Sequence, residues 1–234
     1  MTSSPATLLL ARHGQTVWHA ENRYAGVSDI ALTDEGRRQA RQLGDWAARN
    51  GVDAIWTSTL SRAIETARPA CEALGLTPRR AHELRECDFG EVEGRTLAEF
   101  AAEQPERARE YRADPVAHPF PGAEDPRVAA ARGAAALRRI AAGHPGQRVL
   151  VVAHNTLLRL VLCELLSIPL GAYRRVFPRL LNGAVSELRV GEQGGALLSL
   201  NVPCAPDTLN VPCAPEAPGA PGAPDAPPAP GVSP

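Results

Sequence analysis

Leu8-Leu9-Leu10-Ala11-Arg12-His13-Gly14 and Val149-Leu150-Val151-Val152-Ala153-His154-Asn155 are the two stretches on which the fold turns. Each is a short, unbroken apolar run, the pattern of a strand buried on both faces, and each leads into a histidine. Strands of that kind belong to parallel sheets covered by helices, and such sheets hold ligands beyond the carboxyl ends of their strands. If both runs lie in one sheet, His13 and His154 emerge at the same edge.

The surrounding sequence alternates accordingly. Thr33 to Arg49 places Ala40, Leu43, Trp46 and Ala47 on one helical face, with Thr33 as N-cap and Gly51 as terminator. Ala54 to Trp56 reads as a strand, and Ser61 to Leu74 as a helix that Pro69 should kink or break. A helix from about Asp125 to Ala142 feeds the second histidine strand, and another follows from about Thr156 to Leu166. Val185 to Val190 and Ala196 to Leu200, parted by Gly194 and Gly195, read as a closing hairpin. The fold expected over residues 1–202 is α/β, a three-layer sandwich with a mostly parallel central sheet and helices on both faces.

Residues 203–234 differ in kind. They hold 11 of the chain's 22 prolines, among Ala, Gly and a few acids, and offer too little apolar side chain to offset the entropy of ordering. A disordered Pro/Ala-rich tail is expected there. The hexapeptide NVPCAP occurs twice, at Asn201 to Pro206 and Asn210 to Pro215, a period too short for a solenoid.

Composition narrows the function classes. The 234 residues carry 25 basic and 26 acidic side chains for a net charge of -1, and every basic residue is Arg, so no nucleic-acid footprint is expected. The longest apolar stretch, Leu157 to Leu170, includes Arg159 and Glu164 and falls short of the roughly 20 residues of a membrane span. No basic region precedes the first apolar run, and a cytoplasmic address is expected. Five cysteines, an odd number without CxxC spacing, read as reduced thiols. HxH and HExxH spacings are absent, so no metal or other cofactor is expected, and the oligomeric state, a homodimer included, stays open.

His13 follows Arg12 and precedes Gly14. An imidazole attacks through a ring nitrogen when a second group fixes its tautomer and a cation steadies the electrophile. Arg12 supplies a planar cation matched to phosphate oxygens, and Gly14 permits close backbone approach. Arg62 lies in the first turn of a helix preceded by Ser and Thr, a natural anion site. Between His82 and Gly94 five carboxylates, Glu83, Glu86, Asp88, Glu91 and Glu93, compete for the role of general acid, and composition does not choose among them.

Taken together, RHGQTVW from Arg12, then NRYAG and LTDEG, TSTLSRAIETA, LRECDFGEVEG and VVAHN resemble the histidine phosphatase superfamily, which includes cofactor-dependent phosphoglycerate mutase. The resemblance covers Thr7 to Asn201. It implies that His13 is the nucleophile that becomes a phosphohistidine, that Arg12, Arg62 and His154 surround the transferring phosphoryl group, and that Glu86 protonates the leaving oxygen. His154 would contribute a positive charge or a donor edge. Thr16, Asn22, Arg23 and Asn155 are the implied substrate-binding residues, with Glu124 of second rank. The chain departs from the mutases at His19, where they have Asn, at Ala25, where they have Thr, and at Asn155-Thr156, where they have Gly then Asn.

The interval from Glu86 to His154 is short and alanine-rich, and it lacks the lysine that mutases set against a substrate carboxylate. Hydrolysis of a small phosphorylated metabolite is therefore expected, with mutase-type transfer and a non-catalytic phosphate-binding module as alternatives. Phe100 to Asp125, with Arg107, Arg109, Tyr111, Arg112, His118 and Phe120, is expected to cap the pocket.

Overall fold

In the computed structural model, which describes residues 4–191 and 194–204, the elements follow in the order β1 (Ala6–Arg12), α1 (Asp34–Arg49), β2 (Ala54–Thr57), α2 (Ser61–Leu74), β3 (Arg79–Arg80), α3 (Leu97–Glu103), α4 (Pro105–Ala113), α5 (Pro126–Ala142), β4 (Arg148–Ala153), α6 (Asn155–Leu165), α7 (Tyr173–Val176), β5 (Val185–Gly191) and β6 (Gly194–Val202). The six strands form one sheet in the order β3-β2-β4-β1-β5-β6. The first four are mutually parallel, and the β5–β6 hairpin adds two antiparallel strands at one edge.

The unbroken apolar runs are explained by which way successive side chains point. Leu8 and Leu10 of β1, with Val149, Val151 and Ala153 of β4, pack into the core shared with α5 and α6. Leu9 and Ala11, with Leu150 and Val152, pack on the other face against α1 and α2. The sandwich has three layers, as expected.

Local signals account for the helix ends. Thr33 Oγ1 accepts from the Gly36 amide at 3.0 Å, and Asp34 and Glu35 sit in the positive first turn of α1. Asp125, the residue after Glu124, caps α5 through the Arg127 amide. At α6 the cap is His154 itself, with Asn155 the first helical residue. Pro69 does not break α2: the helix runs through it as one element, and Gly44 of α1 faces it at a point where a Cβ would come within 2.9 Å.

Phe100 to Asp125 forms most of α3, all of α4 and a Pro-rich turn, with Phe100, Tyr111 and Phe120 buried. Among the described residues no helix is long and apolar enough to cross a membrane. Of the tail, Pro203 and Cys204 are described; the expectation of disorder for the rest, residues 205–234, lies outside the described residues.

Candidate active site

Register builds the site. Arg12 pairs with Ala153 across β1 and β4, so His13 and His154 each come one residue after a matched pair. The His13 amide donates to the Ala153 carbonyl at 3.0 Å, which extends the ladder into the site. The two imidazole centroids stand 5.2 Å apart.

His13 is buried, and its Nδ1 lies 2.7 Å from the Gly14 carbonyl oxygen. A carbonyl only accepts, so Nδ1 carries the proton and Nε2 keeps its lone pair. Gly14 is required for this placement, since a Cβ there would lie 2.5 Å from the Gly36 carbonyl oxygen. Its amide is tied to Thr66 Oγ1 at 2.9 Å. Burial first, then the neighbouring His154 and Arg62, hold the His13 pKa well below its usual value. The ring is therefore neutral at neutral pH, with the Nε2 lone pair unprotonated.

His154 is fully buried, and its Nε2 lies 2.6 Å from Ser58 Oγ, at the end of the adjacent β2. Its Nδ1 has no hydrogen-bond partner among the described residues. Burial, followed by Arg62, holds this ring well below the usual histidine pKa as well. Of the two contributions considered for it, a charge or a donor edge, the surroundings favour the neutral donor.

Two arginines complete the cluster. Arg12 Nη1 donates to the Leu180 carbonyl at 2.7 Å and Nη2 contacts His19 Nε2 at 2.8 Å. A guanidinium only donates, so Nε2 of His19 accepts from Arg12, while its Nδ1 faces Thr16, 3.0 Å from the backbone amide and 2.9 Å from Oγ1. Burial and Arg12 push His19 down to about 3, so it holds Arg12 as a neutral acceptor. Thr16 thereby reaches the cluster through His19. Asn182 Nδ2 donates to the His13 carbonyl at 2.8 Å.

Arg62 is fully buried and spends Nη1 and Nη2 on the carbonyls of Ser28, Ala25 and Gly26. Its Nε has no partner among the described residues. Glu93 shapes that carbonyl cradle by accepting from the Gly26 and Ser28 amides. Here Ala25, the departure noted above, contributes its backbone.

Among the five competing carboxylates, Glu86 is the buried one. Its Oε1 accepts from the Cys87 and Leu157 amides, and its Oε2 from Thr156 alone at 2.9 Å. Thr156 and Leu157 are first-turn donors of α6, immediately after His154, so Glu86 joins the same edge. Arg132 of α5 fixes the backbone behind it by donating to the carbonyls of Glu83, Arg85 and Glu86.

Other expected residues stand apart. Asn22 is an exposed turn residue at φ +55°. Arg23 is engaged by Glu21, Glu99 and the Gly94 carbonyl, so it ties the loop after His13 to α3. Glu124 forms a half-buried two-pronged pair with Arg132, at 2.7 and 2.8 Å. Asn155 borders the site at the start of α6. Ser58, Thr66, Arg132 and Asn182 were not singled out from sequence. Among the described residues no three His, Cys, Asp or Glu side chains gather as a metal site.

The histidine phosphatase superfamily (branch 1) model matches residues 8–203. Phosphoserine phosphatase 1 of Hydrogenobacter thermophilus is 29% identical over 197 residues, 84% of this chain and 92% of that protein. A protein of Klebsiella pneumoniae named probable phosphoglycerate mutase GpmB is 35% identical over 179 residues, 76% of this chain and 82% of its own. The structure of Bacillus stearothermophilus YhfR superposes with a TM-score of 0.79 at 28% identity, covering 84% of this chain and 97% of that one. Because the family match takes in both histidines, both arginines and all of the sheet but the first two residues of β1, the chain belongs to branch 1 of the histidine phosphatase superfamily.

Proposed function

We propose that the protein is a phosphomonoesterase that hydrolyses a small phosphorylated metabolite through a phosphohistidine on His13. The observation that carries this reading is a pair of buried donors, Arg62 Nε and His154 Nδ1, without partners among the described residues and close to a histidine whose Nε2 is free to attack. Buried donors are almost always paired, and a phosphoryl oxygen would satisfy them.

In the first step the His13 Nε2 lone pair forms a bond to phosphorus while the ester P–O bond breaks, and a proton from Glu86 goes to the leaving oxygen. Oε2, which accepts a single amide, is the oxygen with room to carry that proton. In the second step water attacks the phosphohistidine, Glu86 takes its proton, and inorganic phosphate leaves with His13 restored. Arg12, Arg62 and His154 are fixed donors for the charge that develops on the equatorial oxygens. Thr16 and Asn155 border the phosphate, while Asn22 and Arg23 set the outer loop of the pocket.

Relatives include a protein named as a phosphatase and one named as a mutase. The absence of any Lys, and with it of a lysine contact to a substrate carboxylate, favours water as the acceptor. The purified protein should release phosphate from p-nitrophenyl phosphate in EDTA, and His13→Ala should not. Interconversion of 2- and 3-phosphoglycerate faster than phosphate release would replace this reading with mutase transfer.

A further inference from the structure

The phosphatase reading gives no role to the repeat, which is one residue longer than the hexapeptide: Leu200 to Pro206 and Leu209 to Pro215 are identical. The first copy shows what this sequence binds. Asn201 adopts φ +56°, a left-handed conformation that Asn tolerates better than most residues. Its amide donates to Ser186 Oγ at 2.9 Å, its Oδ1 accepts from the Leu181 amide at 2.6 Å, and its Nδ2 donates to the Arg179 carbonyl at 3.2 Å. Val202 pairs with Val185. Cys204 Sγ donates to the Gly183 carbonyl at 3.1 Å and packs against the core between the sheet and α1 and α2.

Arg179, Leu181 and Gly183 are thus gripped by Asn201 and Cys204. The same short loop also holds the nucleophile and its arginine. The Leu180 carbonyl accepts from Arg12 Nη1, Asn182 Nδ2 donates to the His13 carbonyl, and the Gly183 amide donates to the Arg12 carbonyl at 2.9 Å. Asn201 and Cys204 touch neither histidine in any of these bonds; they act through residues 179–183.

We infer that Asn201–Cys204 is a positioning clasp for the loop that sets Arg12 and His13, and that Leu209–Pro215 of the same chain is an interchangeable second clasp for the same cradle. Every group the cradle reads is duplicated: an asparagine amide, a β-branched residue one position on, and a thiol two positions beyond that. Seating the second copy requires residues 200–208 to loop out, and the entropy of closing that loop makes the first copy the resident one.

The test uses the full chain with Asn201→Ala, Asn210→Ala and the double variant, at a temperature where circular dichroism shows all of them folded. Asn210→Ala should leave turnover of p-nitrophenyl phosphate unchanged. Asn201→Ala should lower kcat/KM by no more than about 3-fold and the double variant by about 30-fold, mostly in kcat, as expected when alignment of the nucleophile is lost. Iodoacetamide mapping gives a second readout, since burial pushes the Cys204 thiol up to about 12 and makes it slow to react. In Asn201→Ala, Cys204 should become reactive and Cys213 protected.

Equal losses in the single and double variants, or unchanged reactivity of Cys213 in Asn201→Ala, would overturn the inference. So would protection of Cys213 that occurs only in a dimer on sizing, because the occupant would then be another molecule. If the double variant does not fold, the labelling of Asn201→Ala decides. The kinetic arm rests on the phosphatase reading and the labelling arm does not, so protection without any turnover would remove that reading and leave the clasp.

Discussion

Ser58 Oγ lies 2.6 Å from His154 Nε2, so the side chain at the end of β2 orients the imidazole at the end of β4. The parallel register that sets Thr57 opposite Val152 puts both residues at the sheet edge. A buried ring held by one bond at Nε2 presents Nδ1 in a fixed direction, which is what a donor to a phosphoryl oxygen requires.

Removing that bond gives the first prediction. Ser58→Ala should lower kcat by about tenfold, the equivalent of about 1.4 kcal/mol, with a smaller change in KM. Steady-state kinetics on p-nitrophenyl phosphate would measure it, and an unchanged kcat would mean that His154 is oriented by its burial alone.

Stability should depend on pH through three rings, His13 and His154 buried and His19 partly so. His13, His154 and His19 have pKa values below the ordinary histidine value near 6.5, with His19 at about 3. Below pH 6.5 the unfolded chain therefore binds protons that the folded chain does not. Each ring then costs up to about 1.4 kcal/mol per pH unit as pH falls toward its folded value, and nothing above the unfolded one. The urea midpoint should drop between pH 7.5 and pH 5, and His19→Asn should make the drop shallower. A midpoint that is level over this range would show that the rings are protonated in the folded protein.

Arg132 predicts a large effect away from the phosphate. It pairs with Glu124 and holds three backbone carbonyls around Glu86. Arg132→Met should destabilise the fold by about 1–3 kcal/mol, because it leaves the half-buried Glu124 without its partner and three backbone carbonyls around Glu86 without their donor. Arg132→Met with Glu124→Gln should recover part of the loss in denaturant unfolding. A double variant no more stable than the single would place the cost in the carbonyls.

The strands, the two faces of the sheet and the histidine pair were legible because burial on both faces leaves an unbroken apolar run, and a polar residue at its end marks the edge. Glu86 was not distinguishable by composition from its four neighbours. What separates it is burial against the first amides of α6, a contact 70 residues away along the chain. Ser58, Thr66 and Asn182 act through bonds to residues on other strands and loops, and a single sequence carries no signal for such partners. Arg23 follows the His13 loop in sequence, and its sequence position does not reveal that its guanidinium turns to Glu99 on α3. Pro69 read as a kink or break because proline lacks the backbone donor; that α2 runs through it, packed against Gly44 of a different helix, is a tertiary fact.

The central claim is that His13 Nε2 takes the phosphoryl group. Rapid mixing with substrate, quenching in base and peptide mass spectrometry should find one added phosphoryl group, labile to acid, on the peptide carrying His13, and none in His13→Ala. Full turnover by His13→Ala, or a trapped phosphoryl group on any other residue, would contradict the account.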